Sequence, residues 1–203
     1  MRTRIRAGTW LVLGLAVVLT ACSSAKGPGS VAVTGTTVAG AVNPNGTESL
    51  PPGDIPDNQV FVAYSSPQGG YSVKYPQGWA QRTSGATSTF SQNFNTMTVT
   101  AAPAASAPTL ASARAQVAAK LQSVPGFKLG TIDQVSRTSG PAIRIAYQAT
   151  SPTDPVTGKS VPLDVERYLF WRNGKLVTIT LSSAHGSDNV DPWKTVTDSF
   201  TWR

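Results

Sequence analysis

The chain reads as an α+β protein, an antiparallel sheet flanked by helices, and three features of the sequence carry that reading. Two alternating runs, Val165 to Arg172 and Lys175 to Leu181, flank Asn173-Gly174, a pair that tolerates positive φ at both positions and so suits a tight hairpin turn. Leu110, Ala113, Val117 and Leu121 recur at helical spacing. Turn residues rather than helices join most of the other apolar runs, so neighbouring strands run antiparallel.

The elements follow in chain order. Val60, Val62 and Tyr64 alternate with Phe61 and Ala63, and Tyr71-Ser72-Val73-Lys74-Tyr75 alternates again, with the turn signal Pro67-Gln68-Gly69-Gly70 between them. Pro76-Gln77-Gly78-Trp79 interrupts the pattern. Thr89 to Phe94 and Met97 to Thr100 form two more strands, with Asn95-Thr96 as their expected turn. The helix spans Thr109 to Val124, with Thr109 as its cap and Pro125-Gly126 as its stop: proline removes an amide donor and glycine permits a left-handed turn.

Strand chemistry returns at Phe127 to Thr138 and Ile143 to Thr150, with Gly140-Pro141 expected between them. In the hairpin, Arg172 opposite Lys175 sets Phe170 against Val177 and Tyr168 against Ile179, so these four and Leu181 share the core face. Trp171, Leu169 and Leu176 then fall on the opposite face. A last helix is capped by Asp191, opens on Pro192 and carries Trp193, Val196 and Phe200 on one stripe.

The amino-terminal part has a different character. Arg2, Arg4 and Arg6 precede an apolar run from Ala7 to Leu19 and then small residues, the layout of an export signal over residues 1–21. The run is short for a permanent membrane span, which needs about 20 apolar residues. Residues 22–58 hold mostly small and polar side chains and form an expected tether, roughly 36 residues reaching about 30–36 Å. Residues 59–203 make one domain.

Of the formal +7, three charges belong to the signal, so the chain from Cys22 carries 14 basic against 10 acidic side chains, a net +4. No dense basic stripe marks it for nucleic acid. One cysteine permits no intramolecular disulfide, and one histidine permits no multi-histidine metal centre.

Leu19-Thr20-Ala21-Cys22 resembles the bacterial lipobox. The resemblance implies diacylglycerol on the Cys22 sulfur, cleavage before it, and a protein tethered by lipid to the extracytoplasmic face of the cell membrane. Phe61, the run Tyr71-Ser72-Val73-Lys74-Tyr75-Pro76-Gln77-Gly78-Trp79 and the closing Asp198-Ser199-Phe200-Thr201-Trp202 resemble the PsbP/Mog1-like superfamily, and within it the LpqN-like lipoproteins of actinobacteria. That resemblance implies an antiparallel sheet between helices and accessory or assembly proteins without a shared catalytic set. No catalytic residue carries over.

Candidate chemistry is sparse. His185 titrates near neutrality and is a formal general base, but its loop carries no Gly-x-Ser-x-Gly elbow, and an exposed loop histidine is the simpler account. Asp188, Asn189 and Asp191 offer oxygens without EF-hand spacing, which favours helix capping over calcium. Trp79, Trp193 and Trp202 are expected to cover the sheet. Trp171 with Leu169 and Leu176 forms either a helix-covered face or an exposed partner or ligand surface. The loop Asp154-Pro155-Val156-Thr157-Gly158-Lys159 lacks phosphate-loop spacing.

The expected function is therefore that of a non-catalytic, membrane-anchored module binding an envelope protein or component, with no cofactor and no metal. A carrier of an apolar ligand or lipid is the alternative, and a hydrolase comes third.

Overall fold

The structure, a computed structural model, describes residues 52–203; the expected export signal, Cys22 and the expected tether up to residue 51 lie outside the described residues. No helix among the described residues is long and apolar enough to cross a membrane. A small sheet pairs β1 (Phe61–Ser66) with β2 (Tyr71–Pro76), and β10 (Thr201–Trp202) joins β2 on its other side. The large sheet contains β3 (Ala80–Ser84), β4 (Thr87–Gln92), β5 (Asn95–Pro103), β6 (Lys128–Arg137), β7 (Gly140–Thr150), β8 (Pro162–Arg172) and β9 (Lys175–Ala184). Its spatial order is β3-β4-β5-β9-β8-β7-β6, antiparallel throughout. The chain meanders from one edge to the middle, crosses through helix α1 (Leu110–Gln116) to the far edge, and meanders back to seal β9 against β5.

The hairpin register is the one expected: Arg172 faces Lys175, Phe170 faces Val177 and Tyr168 faces Ile179, with Asn173 and Gly174 at φ +49° and +76°. Tyr168, Phe170, Val177, Ile179 and Leu181 are all buried on one face, under the small sheet and helix α2 (Val190–Asp198). Phe200 stacks on Phe170 with ring centroids 4.5 Å apart, and Tyr75 stacks on Phe90 at 4.3 Å. The opposite face of β7 and β8 offers Ile143, Ile145, Tyr147, Val165 and Leu169, and α1 seats Ala113, Val117 and Leu121 on it.

Helix α1 starts where expected. The Thr109 hydroxyl accepts from the Ser112 amide at 3.1 Å and the Ser112 hydroxyl accepts from the Thr109 amide at 2.8 Å, a reciprocal capping box. The helix then widens into a π turn, Val117–Leu121, closed by the Gln122 amide donating to the Val117 carbonyl at 3.1 Å. In an α-helix at 3.6 residues per turn the eight-residue step from Ala113 to Leu121 drifts by about 80°. A turn with i→i+5 bonds rotates less per residue and returns Leu121 toward the sheet. Gly126, at φ +68°, reverses the chain where any Cβ would collide with the Thr150 hydroxyl.

Several expectations shift. The β4–β5 turn is Asn93-Phe94 rather than Asn95-Thr96; Asn93 takes the positive φ of 51°, and Asn95 is a buried strand residue. The β6–β7 turn is Thr138-Ser139, and Pro141 lies within β7, outside its pairing with β8, so its missing N–H deprives no strand of a donor. Strand β3 escaped notice because every one of its residues is exposed; an edge strand without an apolar face has no alternation to show. Asp191 is not the cap of α2 but a first-turn residue, where its charge still suits the helix dipole.

Asn189 stands at the cap position, yet its side chain is spent elsewhere. It accepts from the Ile55 amide at 2.8 Å and donates to the Gly53 carbonyl at 2.8 Å. Ser187 donates to the Pro52 carbonyl and the Asp188 amide donates to Asp54. These bonds seat Ile55 in the core at 5% exposure, so the ordered domain reaches upstream of the boundary set at residue 59. Asn189→Ala should leave the Ile55 N–H and Gly53 C=O unpaired. It should cost about 2 kcal/mol in urea denaturation and speed proteolysis near residue 55.

Candidate functional site

Polar side chains collect where the two-layer packing on the α2 face runs out. Alternate positions of β6, β7 and β8 point there, and the charged ones pair across strands. Arg144 donates to Asp133 at 2.7 and 3.0 Å and to Glu166 at 3.1 Å. Glu166 accepts from the Tyr168 hydroxyl, which accepts from Arg137 at 3.3 Å, while the Arg137 guanidinium lies 5.2 Å from the Tyr168 ring centroid. Arg137 also donates to Thr197 at 2.8 Å and so ties this row to α2. Hydrogen bonds from Arg144 hold the Asp133 carboxyl below the ordinary range. Burial, and then the Glu166 carboxylate, push the Tyr168 phenol up to about 12.

His185 belongs to the next cluster along. Its Nδ1 lies 2.9 Å from both oxygens of Asp164 and 3.2 Å from Gln148, and the Gly186 amide donates to Asp164 at 3.0 Å. Partial burial opposes ionisation of Asp164, but the Gly186 amide and His185 outweigh it and keep the carboxyl low. A carboxylate on Nδ1 is the geometry that orients a histidine for base catalysis, but among the described residues no hydroxyl is hydrogen-bonded to the His185 ring. Ser183 faces Asp164 in the register, but its hydroxyl is buried, makes no hydrogen bond among the described residues, and is not bonded to His185. Beside the cluster, Lys128, Gln148, Asp164, Glu166 and Trp193 frame an open groove of about 420 Å³.

A second groove, about 540 Å³, lies between the β4–β5 turn and the loop 151–161. Phe94 stands beside it at 43% exposure. The loop cannot cradle phosphate with its own amides, because Asp154 already accepts from the amides of Val156 and Thr157 at 3.0 and 2.7 Å and from the Thr157 hydroxyl. Those bonds, the Thr157 amide foremost, hold the Asp154 carboxyl below its ordinary range.

The remaining sequence candidates separate. Leu169 is 3% exposed beneath α1, whereas Trp171 and Leu176 are half-buried. The Trp171 indole donates to the Ala104 carbonyl at 2.9 Å, and the 104–109 segment divides the neighbourhood into a groove of about 280 Å³ beside Trp171 and another of about 210 Å³ beside Leu176. Trp79 and Trp193 are buried in the core and Trp202 packs edge-on against Phe200. Asp188 and Asn189 hold the 52–55 segment, and no cluster of three or more His, Cys, Asp or Glu among the described residues is placed to hold a metal.

The Arg144 row was missed in the sequence. Its available signal was charge at period two, Arg144 in β7 and Asp164 and Glu166 in β8, inside strands that are otherwise apolar.

No family model and no curated protein matches the chain. Among solved structures, it is similar to cyanobacterial PsbP (CyanoP) from Synechocystis sp. PCC 6803, with TM-score 0.51 and 19% identity over 74% of this chain and 98% of that one. It is also similar to the Saccharomyces cerevisiae Ran-binding protein Mog1p, with TM-score 0.46 and 9% identity over 71% and 96% of the two chains. LpqN, involved in cell envelope biogenesis of Mycobacterium tuberculosis, gives TM-score 0.39 and 13% identity over 71% and 85%. The likeness to cyanobacterial PsbP shows that the chain has a PsbP-like fold, mainly antiparallel sheet with two helices, at low sequence identity.

Arg144→Gln should lower stability by about 1 kcal/mol at pH 7, a figure discounted for the partial exposure of Asp133. Because pairing lowers the folded pKa of Asp133, its stabilisation is present above the unfolded value of about 3.9 and is lost as pH falls through the folded value. Urea denaturation should accordingly show the gap between wild type and Arg144→Gln narrowing from pH 7 to pH 3.

Proposed function

We propose that this chain is a lipid-anchored, extracytoplasmic binding or assembly module that acts on an envelope protein or envelope component and performs no covalent chemistry. The observation that carries the proposal is Leu19-Thr20-Ala21-Cys22, at the end of an apolar run that follows three arginines. Each buried methylene contributes about 0.8 kcal/mol, so a doubly acylated Cys22 holds a domain on a membrane where one chain would not. The sequence resemblance of Tyr71 to Trp79 to LpqN-like lipoproteins points the same way.

The domain's own chemistry supports the non-catalytic half of this reading. The carboxylates facing α2 are engaged by Arg144, Tyr168 and His185, and the hydroxyl nearest His185 in the register is buried. Groups that satisfy one another in this way hold a surface in shape. A carrier role gains less support, since stacked aromatics fill the space between the two sheets and the grooves lie open at the surface.

In cells fed a palmitate analogue, the wild-type protein should take up label and fractionate with membranes, and Cys22→Ser should do neither. Crosslinking of intact cells should capture an envelope partner with the wild type and lose most of that capture with Cys22→Ser. Label on Cys22→Ser, or wild-type protein free in the medium with an unmodified thiol, would refute the anchoring.

A further inference from the structure

Helix α1 and the 104–109 segment cover one part of this face of the large sheet, over β6, β7, β8 and the Leu176–Thr178 end of β9, and leave β3, β4, β5 and the rest of β9 uncovered among the described residues. The register places Arg82, Thr89, Thr98, Thr180 and Arg167 side by side in one row across five strands of that face. At about 4.8 Å per strand the row separates its two arginines by about 19 Å at the backbone. Two rows flank it: on one side Thr87, Thr100 and Thr178, where Thr178 is buried and the Thr87 and Thr100 hydroxyls bond each other at 3.1 Å, and on the other Ser91, Thr96 and Ser182.

Two properties set this face apart from an ordinary solvated sheet. The side-chain hydroxyls of Thr89, Thr98 and Thr180 make no hydrogen bond among the described residues, and Arg82 and Arg167 form no ion pair among them; the Arg167 Nε is buried without a partner. No position of β3, β4, β5 or β9 that points to this face is acidic. The surface thus presents ranked donors and acceptors bracketed by two uncompensated cations. Its third row runs into the 540 Å³ groove, which Thr96 and Ser182 help to line and where Phe94 offers an exposed aromatic ring.

We infer that this face binds an acidic polysaccharide, a polyhydroxylated chain bearing carboxylate or phosphate groups. The hydroxyl rows would meet the sugar hydroxyls, Arg82 and Arg167 would meet the anionic substituents, and the Phe94 ring would stack on the apolar face of a sugar at the groove. The groove lining holds both Asp154 and Lys159, so the selection of an anionic occupant rests on Arg82 and Arg167 of the row. The ordered hydroxyls select a polyol over a nucleic acid, because a strand of bases stacks on a succession of aromatic side chains and this face offers Phe94 alone among the described residues. The inference deepens the proposed function, on which it rests, by naming the component's chemical class and the surface that meets it.

The test is binding of the full chain, in detergent, to immobilised alginate, with dextran, polyphosphate and single-stranded DNA as parallel probes. Wild type should bind alginate better than the other three. Thr98→Val with Thr180→Val should weaken alginate binding about tenfold, the range for losing one or two hydrogen bonds. Arg82→Gln should weaken it several-fold, whereas Lys74→Gln, an equal charge loss on β2 of the small sheet, should leave it unchanged. Valine keeps strand propensity, and Arg82 and Lys74 are exposed, so these variants should fold, as circular dichroism will verify.

Equal binding to polyphosphate or DNA, or equal losses from Arg82→Gln and Lys74→Gln, would reduce the effect to net charge and overturn the inference. Absence of alginate binding, with envelope crosslinks in cells intact, would remove this surface assignment and leave the module reading standing.

Discussion

The structure depends on one constraint: strand β8 carries large apolar side chains on both faces, and a two-residue turn locks its register against β9. Tyr168 and Phe170 point to one face of β8 while Val165 and Leu169 point to the other. Since side chains alternate with period two, a slip of one residue at Asn173-Gly174 would exchange the two sets and present each core with the wrong shapes. The left-handed conformations of Asn173 and Gly174 prevent that slip by closing the hairpin in a single way. Everything else docks on the result. The small sheet and α2 cover the Phe170 face, and α1 with its π turn covers the Leu169 face.

This two-faced demand also explains where polar chemistry can sit. Along β7 and β8 the apolar positions are occupied by the two cores, so charged residues fall where a covering layer thins. Arg144, Glu166 and Asp164 lie at such positions on the α2 face, and each finds a partner on a neighbouring strand or loop. The consequence for function is a surface of fixed polar groups without a free nucleophile among the described residues. On the opposite face the covering helix reaches only half the sheet, and there the strands change composition from Val, Ile and Leu to Thr and Ser.

The amino-terminal strap joins the two ends of the domain. Asn189, the residue before α2, binds the backbone of Gly53 and Ile55, so the entry of the chain and the start of its last helix are held by one amide side chain. Its bonds matter because Ile55 closes a corner of the core beside α2, and an unpaired backbone group there would lose its hydration without compensation.

Strands with one clear alternation, the tight Asn173-Gly174 turn, the Thr109 cap and the apolar stripe Ala113, Val117, Leu121 are local statements, and the sequence by itself determined them and the fold class they imply. Register in the hairpin followed because turn length and face chemistry agreed. Strand β3, the exact turns at Asn93-Phe94 and Thr138-Ser139, and the employment of Asn189 were decided only by tertiary structure. The decisive partner lies outside the element itself: β4, one tight turn further on, supplies β3 with its hydrogen bonds, and Gly53 and Ile55, from the far end of the domain sequence, compete with the helix amides for Asn189. The same holds for the Arg144 row and for the Arg82-to-Arg167 row. Period two says that such residues share a face of their own strand, but only the order of strands in space brings them together, and that order is set by the packing of two cores rather than by any short stretch of sequence.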